Sequence, residues 1–82
     1  MGAGNLNDKR RNLIRGVKAA LEDIESRIDI IRDDEEESLD NIPENLQYGD
    51  RYERIEAAVD ALNDALELVD QLQDKLDDAI IC

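Results

Sequence analysis

The chain has 82 residues, 39% of them charged, and its 22 Asp and Glu outweigh 10 Lys and Arg for a net charge of −12. With no His, Trp or Phe, two Tyr and a single Cys, it lacks the commonest general base, the usual zinc ligand and any internal disulfide. A core must come from Leu, Ile, Val and Ala, and a domain this small buries only about 60% of its unfolded surface, so it is marginal alone or relies on assembly.

Residues 1–6, MGAGNL, contain two Gly and no apolar periodicity, and are expected to form a flexible tail. Gly2 after Met1 opens like an acylation site, but Leu6 stands where Ser or Thr is required. The start has no apolar signal region, and nowhere do 18 apolar residues run together. A soluble, cytoplasmic protein with no membrane contact is the expectation.

Asn7 or Asp8 is a suitable cap for a first helix over 7–38. From there Ile14, Val17, Leu21, Ile24, Ile28 and Ile31 step by three and four, a seven-residue apolar repeat that Leu13 and Ala20 widen on one side. Gly16 falls on the outer face, where it costs about 1 kcal/mol relative to Ala without disturbing packing. The stripe fades at Glu35 and Ser38, for a helix about 45 Å long.

A connection over 39–50 follows. It holds the only interior Pro and Gly able to stop a helix for good. Pro43 keeps Ile42 out of helical geometry, and Pro43 to Gln47 can form one short helical turn. Leu39, Ile42 and Leu46 are candidates to plug the end of a bundle. Gly49 and Asp50 offer a turn and cap for a second helix over 51–80, with Glu53 completing a weak capping box. There Tyr52, Ile55, Val59, Leu62, Leu66, Val69, Leu76 and Ile80 repeat the spacing, with Gln73 the one polar interruption. Ala58, Ala65, Leu72 and Ala79 flank that stripe, and three of these four are small enough to let another helix approach closely.

Lys9, Arg10, Arg11, Arg15 and Lys18 crowd the start of the first helix and Asp33 to Glu37 its end, which opposes the helix dipole. Folding the chain back compensates. It brings Asp74, Asp77 and Asp78 beside the basic start, and Arg51 and Arg54 toward the acidic end. The fold class is therefore all-α, an antiparallel αα-hairpin forming a single domain over 7–82.

Two helices cannot hide stripes this wide, so the hairpin is expected to assemble into a four-helix bundle dimer or a larger homo-oligomer. The interface would draw on Ile14, Val17, Leu21, Ile24, Ile28, Ile31, Ile55, Val59, Leu62, Leu66, Val69 and Leu76. Ile30 and Leu68 sit on outer positions. They suggest either ordinary scattered surface residues or a second contact. Cys82 reads as a free thiol that could at most pair two chains.

Chemistry is sparsely represented. The run Asp33, Asp34, Glu35, Glu36, Glu37 lacks the alternating ligands and central Gly of a calcium loop and reads as a solvated helix end. No nucleophile and base, phosphate loop or metal set is present, so neither enzyme activity, a cofactor nor a metal is expected. Two binding patterns remain. Residues 19–82 carry 21 Asp or Glu against five Lys or Arg, and rows of carboxylates on a rod could mimic DNA before a basic protein, without direct nucleic-acid contact by the chain itself. At the connection, Asn45, Gln47, Tyr48, Arg51 and Arg54 cluster with Tyr52. With Arg10, Arg11 and Arg15 of an antiparallel neighbour they could hold a small nucleotide. Bundle capping and ion pairing explain the same residues without a ligand.

The run Asp40-Asn41-Ile42-Pro43-Glu44-Asn45-Leu46-Gln47, followed by Arg51-Tyr52-Glu53 and an Ala/Leu/Asp-rich helix, resembles a group of small acidic proteins of phages and phage-derived elements. The resemblance implies a phage or mobile-element setting, hence a host cytosol, and no catalytic residues. With the apolar stripe and the acidic surface, that setting suggests a non-enzymatic interaction protein that binds a host or phage protein, inhibition of a defence system being one role it could serve.

Overall fold

The computed structural model describes the backbone of residues 2–47 and 49–81, and side chains from Asp8 onward within those ranges. Helix α1 spans Gly2–Asp40, a single 3-10 turn spans Glu44–Leu46, and helix α2 spans Asp50–Ile81. The two helices pack against each other along an antiparallel αα-hairpin measuring 69 × 16 × 13 Å. Its radius of gyration is 19.1 Å, against about 12 Å for a compact domain of this length. The chain is a rod.

Helix α1 begins at Gly2, five residues before the start expected at Asn7. No Pro interrupts the first residues, and extending a formed helix costs far less than nucleating one. Its other end closes as the sequence suggests. Asn41 N–H still donates to the Glu37 carbonyl (3.0 Å), and Ile42 N–H tightens onto Leu39 (3.2 Å). Pro43, at φ −57° and ψ 147°, then turns the chain out of the helix.

The 3-10 turn satisfies its own backbone through Leu46 N–H to Pro43 O (2.8 Å) and Gln47 N–H to Glu44 O (3.2 Å). Glu53 N–H donates to the Gly49 carbonyl (3.2 Å). Gly49 is therefore the cap of α2, and Asp50 is already its first helical residue rather than the cap. Of the three residues expected to plug this end, Ile42 does so at 9% exposure, Leu39 is half-buried and Leu46 stays 55% exposed.

Among the described residues only Ile42 and Val59 are buried. The apolar stripes divide in a way that periodicity does not dictate. On α1, Ile14, Leu21 and Ile28 are half-buried against α2 together with Lys18, Glu25 and Arg32, the neighbours four residues on. Val17, Ile24 and Ile31, the other half of the same repeat, are exposed, and so are Leu13 and Ala20 beside them. On α2, Ile55, Leu62, Leu66, Val69, Leu76 and Ile80 are half-buried, whereas Leu68, Leu72 and Ala79 are exposed.

Candidate interaction surface

Three polar contacts bridge the helices among the described residues. Lys18 Nζ pairs with Asp77, Arg32 Nη1 donates to Asn63 Oδ1 (2.9 Å), and Arg11 Nε donates to the Ile80 carbonyl (2.8 Å). Arg11, Lys18 and Arg32 stand seven and then fourteen residues apart along one edge of α1. These contacts therefore form a polar seam down one side of the rod. Each contributes a few tenths to about 1 kcal/mol; together they fix how far each helix is rotated about its own axis.

That rotation decides what lies on the opposite side. At 100° per residue, Arg10, Leu13, Val17, Ala20, Ile24, Arg27 and Ile31 of α1 turn to the side away from the seam. Arg54, Ala58, Ala61, Ala65, Leu68, Leu72, Lys75 and Ala79 of α2 turn the same way, because antiparallel helices present mirrored faces. The 15 positions make one continuous face. Between Arg10 and Ile31 on α1 and between Arg54 and Ala79 on α2 these positions bear no Asp or Glu, and the same sides run on into Glu35 and Asp50 toward the connection. Leu13 and Leu68 are each 64% exposed on it.

The basic cluster and the connection lie at opposite ends of the rod. Arg10, Arg11 and Arg15 stand near its start, where Arg11 also meets Asp8 (3.7 Å) and Arg15 donates to Asn12 Oδ1 (2.8 Å). At the connection a cavity of about 450 Å³ is floored by Ile42, Pro43 and Leu46 and walled by Ser38, Asn41, Gly49, Asp50 and Arg51. Among the described residues, Arg51 alone of the suggested ligand residues lines it. Arg54 lies in a separate shallow depression with Asp50, Glu53 and Ala57. Asn45 is exposed, Gln47 is half-buried, and Tyr48 and Cys82 lie outside the described residues.

Arg54 Nε approaches the Asp50 carbonyl (3.4 Å), and Asp33 pairs with Arg32 (3.2 Å). No ion pair joins Arg51 or Arg54 to the run Asp33 to Glu37 among the described residues. Among the described residues no group of three or more His, Cys, Asp or Glu could hold a metal ion, and no helix is long and apolar enough to cross a membrane. Sequence reasoning found the stripes but missed the carboxylate-free face. Its signal, the row from Arg10 to Ile31 without an acidic residue, is visible in the sequence once the rotation of α1 is known.

No family model, no curated protein and no solved structure matches the chain.

Proposed function

We propose that the chain is a non-enzymatic interaction protein, a helical hairpin that associates with itself through the carboxylate-free face and binds a host or phage protein in the cytoplasm. The resemblance of the connection supplies the phage or mobile-element setting, and inhibition of a defence system is the role that fits it. One observation carries the reading. Leu13, Val17, Ile24, Ile31, Leu68 and Leu72, each 41% exposed or more, share one side of an otherwise strongly acidic rod.

Area supports it. The chain exposes 6279 Å², where a compact monomer of 9.3 kDa would expose about 5,000 Å². The excess is larger than the roughly 800 Å² that each partner commits to a standard interface. Once that face is covered, the carboxylates remain outward, and a basic surface is the complementary partner. DNA mimicry is one form such binding could take. Sedimentation of the purified chain at micromolar concentration is the test. Assembly is expected, and a stable monomer ends the reading.

The cavity beside Arg51 favours a second reading, in which the assembled protein sequesters a small nucleotide. Its size suits a ligand, whereas Asp50 in the same wall opposes a phosphate. Thermal-shift measurements against nucleotides decide it. A shift abolished by Arg51→Ala or Tyr48→Ala supports it, and the absence of any shift removes it.

A further inference from the structure

We infer that the occupant of the carboxylate-free face is a second copy of the chain, laid antiparallel about a two-fold axis that crosses the rod at Ile24. The connection of each copy then lies beside the basic Lys9 to Lys18 end of the other. This rests on the self-association proposed above and adds the partner's orientation and register.

The first observation is the register within one hairpin. Lys18 meets Asp77 and Arg32 meets Asn63, and both pairs of residue numbers add to 95. Position 24 of α1 is therefore level with position 71 of α2.

The second is where each helix centres its free apolar residues. Val17 and Ile31 lie seven residues either side of Ile24. On α2, Leu68 and Leu72 lie two residues either side of position 70, and Ala61 and Ala79 nine either side. The two centres stand at one height to within a residue. Folding of a single hairpin does not require this. A two-fold axis at that height does, because it sets Ile24 on Ile24 of the partner subunit, Val17 on Ile31 of the partner subunit and Leu68 on Leu72 of the partner subunit.

The third observation is charge, and it is independent of the apolar pattern. The basic block of α1 runs from Lys9 to Lys18 and its acidic block from Asp33 to Asp40. Their midpoint is position 25, within one residue of Ile24. Rotation about that height brings each basic block level with the partner's acidic block. The parallel alternative superposes two connection halves instead. Residues 30–66 hold 12 Asp or Glu against three Arg, a net of −9 in each copy, so that arrangement is repelled at low salt.

The test uses full-length chains with Cys82→Ser, so that introduced thiols are the only ones. Ile24→Cys is expected to form a disulfide-linked dimer, since a residue on the axis meets its own copy. Val17→Cys and Ile31→Cys should link only when mixed. Ile24→Cys mixed with Leu72→Cys should give no mixed dimer, because only parallel pairing sets α1 against the partner's α2. Asn12→Cys, on an outer side of α1, should remain unlinked throughout. Light scattering runs alongside. A monomer overturns both the self-association and this inference. A dimer in which Ile24→Cys fails to link, or links to Leu72→Cys, overturns the antiparallel arrangement alone.

Discussion

Arg32 of α1 donates to Asn63 of α2 across 2.9 Å, at the same register as the Lys18 and Asp77 pair about four turns nearer the chain ends. Arg32 also holds Asp29 (2.8 Å) on its own helix. Its guanidinium therefore spans the seam while its stem covers apolar surface. Arg32→Ala or Asn63→Ala alone should cost about 1 kcal/mol or less, with a double-mutant coupling of about 0.5 kcal/mol. Urea denaturation of the four proteins of the cycle, at one fixed chain concentration, measures it. A coupling near zero would mean that the seam does not set the rotation of α1.

Ile24 and Ile30 are both exposed large aliphatics on one helix, at 41% and 63%. They point to different sides. A charge at position 24 would be carried into the self-association face, where desolvation costs several kcal/mol, whereas position 30 lies outside that face. Ile24→Glu is expected to weaken association about a hundredfold or more, and Ile30→Glu to leave it within about threefold, with helical circular dichroism retained by both at high concentration. Equal loss in the two variants would mean that Ile30 belongs to a second contact.

The helices themselves were legible because a three-and-four apolar repeat has one reading at this length, and Pro43 has one effect. The 3-10 turn at Glu44–Leu46 was legible for the same reason. What the repeat leaves open is rotation, since Ile14 and Val17 are equally apolar and either row could face α2. The long stems of Lys18 and Arg32 decide it by packing in the seam, and side-chain reach of that kind leaves no periodic trace. The start of α1 was missed because Gly2 and Gly4 weaken a helix without stopping it. At the candidate site, the clustering of Arg51 near the connection was legible from chain order. The cavity is not, because it depends on how Ile42 and Leu46 fold around Pro43.

Gln73, the polar break in the α2 stripe, is half-buried, and its Nε2 has no hydrogen-bond partner among the described residues. An unpaired buried amide costs about 1–3 kcal/mol. Gln73→Leu should therefore stabilise the chain by about 1 kcal/mol or more, read as a higher Tm in thermal unfolding at one fixed concentration. If Gln73 instead specifies the pairing, as single polar core residues do in some coiled coils, the same substitution will broaden the distribution of assembly sizes. Light scattering distinguishes the two, and a lower Tm would contradict the accounting of Nε2.

Val59 is 7% exposed on the inner face of α2, so truncating it removes contacts that no other described residue of α2 replaces to the same depth. Val59→Ala is expected to cost about 1–2 kcal/mol, less than a large aliphatic in a dense core because a two-helix layer can relax toward the gap. Thermal unfolding checks this, and a cost under about 0.3 kcal/mol would place the stabilising core elsewhere.

Gly16 and Gly49 should respond oppositely to alanine. A Cβ at Gly16 would meet nothing within 4 Å, and the residue sits in the interior of α1, where glycine costs about 1 kcal/mol of helix propensity relative to alanine. Gly16→Ala should raise stability by roughly that amount without touching the association face. Gly49 caps α2 through its carbonyl, and a Cβ there would stand 3.4 Å from the Leu46 carbonyl oxygen, an ordinary contact. Sterics therefore permit Gly49→Ala, but alanine is a poor helix cap. The expected outcome is a loss of a few tenths of a kcal/mol, against a gain at Gly16. Paired melting curves at equal concentration give the sign of each, and a gain at position 49 would show that Gly49 is not held as the α2 cap in solution.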